Sequence, residues 1–171
     1  GWLTLGQVDS AAQAMERLKP WRKVNCVPEM FPMMPGMLQC LQARIELARG
    51  DDIKAAETVR NIRDNGGETL PFGLDLYSRL LESVLSWRQK GPSAAQKILT
   101  ATIAMAGEEH YISPFAELRG ELQELLEKTW TQLPDAPFVD AIGRLYGLTD
   151  MKEHASLAEP ISDREQGVLE L

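Results

Sequence analysis

The side chains best equipped for chemistry in this 171-residue chain are two histidines, two cysteines and a set of carboxylates. His110 follows Glu108 and Glu109, and His154 follows Glu153. A zinc hydrolase of the H-E-x-x-H type needs two histidines one helical turn apart beside a glutamate, so that ligands and base share a face. Neither histidine here has such a companion, and both read as surface residues. Cys26 and Cys40 are too far apart for a C-x-x-C pair. They read as reduced, partly buried thiols, with a disulfide as the other option. Glu117, Glu121, Glu124 and Glu127 recur at helical steps and read as a solvated face. Glu57 with Arg60, and Glu124 with Lys128, have the spacing of surface ion pairs worth a few tenths of a kcal/mol. Neither a G-x-S-x-G elbow nor a G-x-x-x-x-G-K-[ST] phosphate loop occurs. The sequence thus offers no catalytic residue, no metal-ligand set and no cofactor-binding residue, and it points away from an enzyme.

Composition bounds the remaining classes. Hydrophobic residues at 44% and charged residues at 25% are those of a globular chain. No apolar run approaches the roughly 18 residues of a membrane span. The start, Gly1-Trp2-Leu3-Thr4-Leu5, lacks the basic region of a secretory leader and enters in mid-pattern without an initiator methionine. The chain reads as a piece of something longer, with the cytoplasm as its expected compartment. Its formal net charge of −7 opposes direct contact with DNA, because such affinity comes largely from Lys and Arg neutralising phosphates.

Positioning these residues falls to helices. Apolar side chains recur at steps of three and four almost throughout. The stripes are Ala11, Met15, Leu18; then Leu38, Leu41, Ile45, Ala48; then Ile53, Ala56, Val59, Ile62. Next come Leu76, Leu80, Val84 and Trp87, widened by Leu74, Tyr77, Leu81 and Leu85. A helix apolar over so broad an arc is packed on two sides. Tyr77 and Trp87 on it read as core first and ligand contacts second. Ala95, Leu99, Thr102, Ile103 and Ala106 follow, then Phe115, Leu118, Leu122, Leu125 and Trp130, then Phe138, Ile142, Leu145 and Tyr146. Short turns at Gly50, Gly66-Gly67, Gly91, Ser113-Pro114 and Pro134 to Pro137 separate them, which predicts antiparallel hairpins. Pro20, Pro28, Pro32 and Pro35 interrupt the region between the first two stripes, amid Met30, Met33, Met34 and Met37. That stretch predicts an irregular connection whose methionines plug the core, or an adaptable contact surface.

Three places repeat one arrangement of helix end, glycine, tight turn and paired alanines. They are Gly6 with Ala11-Ala12, Gly50 with Ala55-Ala56, and Gly91 with Ala94-Ala95. The glycines lie 44 and then 41 residues apart, beyond the roughly 34 of a standard tetratricopeptide repeat. Glycine suits the helix C-cap, and small alanines let paired helices approach to about 8–10 Å. The expectation is an all-α fold: a superhelical array of antiparallel helical hairpins of tetratricopeptide-like kind.

The end of the chain carries a different signal. Glu159-Pro160-Ile161-Ser162-Asp163-Arg164-Glu165 leads into Val168, Leu169 and Leu171, with Ser162 and Glu165 at capping-box spacing. This segment resembles the opening of LuxR-type helix-turn-helix domains, E-P-L-[ST]-x-R-E-x-E-V-L-x-L; Gly167 departs from that pattern, where a helix former is usual. Ala43-Arg44-Ile45-Glu46-Leu47-Ala48-Arg49-Gly50-Asp51 resembles the A-R-x-x-L-A-x-G-D of the sensor region in MalT-like regulators. Residues 94–117, with His110-Tyr111-Ile112 and Phe115, are similar to that family's last sensor hairpin and the segment after it. The resemblance implies a sensor region over 1–147, a linker over 148–160 and the start of a DNA reader over 161–171. It further implies an ATP-dependent P-loop module upstream, an inducer (small molecule or protein) on the helical array, DNA contact through a recognition helix beyond Leu171, and self-association. The rival reading is a stand-alone helical-repeat adaptor for a protein partner.

Overall fold

The computed structural model describes Leu3 and residues 5–22, 33–67 and 70–149. Over these residues the chain is helical, with no strand. The α-helices are α1 (Val8–Arg22), α2 (Met34–Ala48), α3 (Asp52–Gly66), α4 (Phe72–Lys90), α5 (Pro92–Glu108), α6 (Ser113–Glu117), α7 (Arg119–Thr129) and α8 (Pro137–Tyr146). A 3₁₀ turn, Trp130–Gln132, follows α7. Cys26, His154, most of the proline- and methionine-rich stretch and the segment from Glu159 onward lie outside the described residues.

Helix α4 occupies the middle. It packs on α3 and α5, its neighbours in sequence, and also on α2, α6 and α7. Its apolar arc explains this: Leu76, Leu80 and Leu81 are fully buried, and Leu74, Tyr77, Val84 and Leu85 nearly so. Ser78 and Ser83 are buried in the same helix, and their hydroxyls donate back to the carbonyls of Asp75 and Leu80 at 2.8 and 2.6 Å. Small residues satisfied within their own helix let neighbours come close at no cost in unpaired groups. Helix α2 is also two-sided. Cys40, Ala43 and Leu47 join the main core, whereas Leu38 and Ile45 join Ala11 and Met15 in a smaller cluster against α1.

The glycine arrangement is carried by backbone geometry. Gly6, Gly50 and Gly91 have φ of +71°, +77° and +86°. A side chain would meet no neighbour at any of the three, so it is the left-handed conformation that calls for glycine. Four or five residues later Ala11, Ala55 and Ala95 are buried, and one turn beyond them Met15, Val59 and Leu99 are buried too. Arg49 pairs with Asp9 at 3.3 Å, and Arg88 with Asp52 at 3.0 Å, so an arginine near the end of one helix meets an aspartate opening another.

Several sequence expectations shift. Ile53, assigned to the third stripe, is 81% exposed; the buried face of α3 is Ala55, Val59 and Ile62, and Ile53 stands off it in the first turn. Ala48 and Leu18 are likewise exposed at or near helix ends. Pro20 does not end α1, which runs to Arg22. In a last turn proline removes one ladder bond rather than breaking a helix in two. Pro35 opens α2, where its missing N–H is no loss. The stripe from Phe115 to Trp130 is divided between α6 and α7 by a turn at Leu118.

His110 closes α5 with φ of +52°. The Tyr111 N–H donates to the Ala106 carbonyl at 2.9 Å, so the chain turns as a Schellman cap with histidine in the place glycine usually takes. Left-handed backbone costs a non-glycine residue about 1–2 kcal/mol, of which glycine's extra unfolded-state entropy returns about 0.5–1. His110→Gly should therefore stabilise the fold by roughly 0.5–1 kcal/mol. A urea titration showing a lower midpoint for the variant would contradict this account.

Candidate functional site

The most elaborate polar constellation in the described residues centres on Arg44, the arginine of the A-R-x-x-L-A-x-G-D segment. Its spacing on α2 puts it among buried positions, between Ala43 and Ile45. The guanidinium reaches across three other elements. Nε meets Glu121 of α7 at 2.5 Å, Nη1 the Tyr77 hydroxyl of α4 at 3.1 Å, and Nη2 the Glu117 carbonyl at 3.1 Å. The side chains of Arg44 and Glu121 are only 7% and 17% exposed. Burial opposes the charge on Arg44, but the Glu121 hydrogen bond and the charges of Tyr77 and Glu121 outweigh it and hold its pKa above the ordinary value. Burial pushes the Tyr77 phenol up, with Arg44 pulling the other way. This corrects the reading of the acidic run as one solvated face. Glu117, Glu124 and Glu127 are exposed, while Glu121 turns inward to a buried cation.

That constellation binds the protein to itself. Each of the three guanidinium nitrogens of Arg44 donates to a group of the same chain, and the residue is buried. Cys40, one turn earlier on α2, is 1% exposed, and burial pushes its thiol up to about 12 against the pull of Arg44. A thiol so raised is a packing group rather than a nucleophile. Tyr146 is similarly buried and donates to the Phe115 carbonyl at 2.5 Å, tying α8 to α6. His110 is exposed at the end of α5, beside Glu108 and Glu109. Among the described residues no group of three or more His, Cys, Asp or Glu side chains is placed to hold a metal ion. No helix there is long and apolar enough to cross a membrane.

Two surface features remain. A groove of about 550 Å³ runs along α3 and α4, with Ile98 of α5 on its wall. Its charged lining comprises Arg60, Arg63, Arg79 and Lys90 against Asp64, Asp75 and Glu82. Arg63 pairs with Glu82 at 2.5 Å and Arg79 with Asp75 at 2.9 Å. The Glu57–Arg60 and Glu124–Lys128 pairs expected from spacing do not close to ion-pair distance; the pairs formed on these helices go to other partners. Helical spacing permits such pairs but cross-helix contacts and side-chain entropy decide them. The groove itself was invisible in the sequence, because it exists only once α3 and α4 lie side by side.

The second feature is a hollow of about 240 Å³ lined by Met33, Phe72, Gly73, Glu109 and Tyr111. Met33, Phe72 and Tyr111 are each about 40% exposed, and the two rings lie 6.1 Å apart at 47°. Met37, by contrast, packs against the main core. Of the two alternatives the sequence left open for this stretch, Met37 fits the core plug, while Met33 and Met34 are exposed. Tyr77 belongs to the main core at 4% exposed, and Trp87 is half-buried at the edge of that core.

Comparison of the chain with protein-family models, with curated proteins and with solved structures found no match.

Proposed function

We propose that this chain is the helical-repeat sensor region of a DNA-binding transcription regulator of LuxR type and MalT-like kind, a scaffold that receives an inducer rather than an enzyme. The observation that carries the reading is the coincidence of two signals. Gly50 and Gly91 each join two helices, the same glycine-then-buried-alanine spacing recurs at Gly6 and Ala11, and these precede a C-terminal segment written like the opening of a helix-turn-helix reader. The packing order supports the tetratricopeptide-like array: α2 contacts α3 and α4, α4 contacts α5 and α7, and α5 contacts α7 and α8. The first helices of the two pairs joined at Gly50 and Gly91, α2 and α4, each touch their own partner and a later helix, α4 for α2 and α7 for α4, the kind of stacking a solenoid uses. In this reading the ATPase module precedes the array, and ligand on the array biases an equilibrium between closed and DNA-competent forms.

The test is to follow the reading frame past codon 171 and express the longer protein. It should bind duplex DNA with an affinity that falls steeply as salt rises, whereas the 171-residue chain, at net charge −7, should not. A stop codon there, or a complete protein indifferent to DNA, would replace the regulator with the second reading, a protein-interaction adaptor. The exposed Met33–Phe72–Tyr111 hollow is the observation that favours that alternative.

A further inference from the structure

The hollow lined by Met33, Phe72, Gly73, Glu109 and Tyr111 brings two aromatic rings and a carboxylate together. Three helix ends build it. Met33 is the N-cap of α2, Phe72 and Gly73 open α4, and Glu109 and Tyr111 follow α5. The left-handed turn at His110 places the last two: its φ is +52°, and the Tyr111 N–H is held by the Ala106 carbonyl at 2.9 Å. A Cβ at Gly73 would lie 3.4 Å from both Cε1 and the hydroxyl oxygen of Tyr111. The tyrosine ring therefore lies against α4 where that helix carries no side chain. The Phe72 ring stands beside it, 6.1 Å away at 47°. Phe72 is 38% and Tyr111 39% exposed, and Glu109 has no ion-pair partner among the described residues.

A purely apolar patch has no preference for charge, whereas this one does. An aromatic face is the negative part of a quadrupole and attracts a cation within about 6 Å of its centroid. Glu109 adds a full negative charge, and exposed Glu108 precedes it. The helix ends largely cancel. The N-termini of α2 and α4 bring about half a positive charge each and the C-terminus of α5 about half a negative one, a remainder that two carboxylates exceed. A metal ion or a primary ammonium would need several oxygen ligands, and the lining side chains offer one carboxylate and one phenol. A quaternary ammonium needs none, because its charge is spread over methyl groups that pack on rings and on a polarizable thioether such as Met33. About 240 Å³ falls below the range of drug-sized sites and suits a small cation. We propose that the hollow binds a small quaternary ammonium solute, its methyl groups against Phe72 and Tyr111 and its charge beside Glu109. The site goes beyond the regulator reading and stands or falls without DNA.

The experiment is an NMR titration of the 171-residue chain with choline chloride at constant ionic strength, set against the neutral alcohol in which carbon replaces the choline nitrogen. Saturable shifts centred on the amides of Met33, Phe72, Gly73 and Tyr111 are expected with choline, and clearly weaker binding of the alcohol. Phe72→Leu and Tyr111→Leu should each weaken choline about twofold to fivefold, the effect of one exposed cation–π contact. Glu109→Gln should weaken it by a similar factor. Tyr111→Phe, which keeps a ring, should retain binding, and Glu124→Gln on the exposed face of α7 should leave it unchanged. Equal binding of choline and the alcohol would overturn the cation site and leave an apolar contact patch, as an adaptor would carry. Shifts that never saturate, or that Glu124→Gln weakens as much as Glu109→Gln, would overturn it too. Unchanged circular dichroism in each variant separates loss of binding from loss of fold.

Discussion

Replacing Arg44 with methionine is expected to destabilise the protein by about 3 kcal/mol, near the lower end of the cost of breaking a buried pair from one side. The variant keeps most of the side-chain volume, so packing is little disturbed. What it loses is every partner that Glu121, the Tyr77 hydroxyl and the Glu117 carbonyl find in the guanidinium. Glu121 would be left charged and mostly buried without compensation. The lower end of the range is appropriate because its side chain retains 17% exposure and some water. A double-mutant cycle sharpens the claim. With Glu121→Leu in place, Arg44→Met should cost much less, since replacing both members of a buried pair by apolar groups is often near neutral. Equal losses in both backgrounds, read from guanidinium titrations, would show that Arg44 acts through packing alone.

Leu80→Ala should cost about 2–5 kcal/mol. Leu80 is wholly buried in the helix on which α2, α3, α5, α6 and α7 all pack. Removing three methylene-sized groups there leaves a cavity among several independent elements, and no single helix can shift to close it without opening another contact. The upper half of the range is therefore the expectation. A denaturation midpoint within error of the parent would mean that the centre of the fold relaxes freely, which its close packing contradicts.

The helices were readable because their signal is local. Leu74 to Trp87 repeats apolar residues around most of a helix, and such an arc has no other use than contact on two sides. Gly50 and Gly91 were readable for the same reason: each sits between two stripes, and its neighbours in sequence are its neighbours in space. The site was not readable. Arg44 and Glu121 are separated by 77 positions, and nothing in an acidic run marks which member turns inward. Ile53 failed for a subtler reason. It continues the three-and-four rhythm of its stripe, but the small Ala55 is what the adjoining helix needs at close approach, so the contact face is rotated toward alanine and the larger residue is left outside.

The Arg49–Asp9 and Arg88–Asp52 contacts place opposite charges on the rim of successive glycine joints, outside an oily middle. Such attractions fade over about 8 Å at physiological ionic strength, while burial of hydrocarbon does not. Brine should thus slacken the seams before the centre feels it.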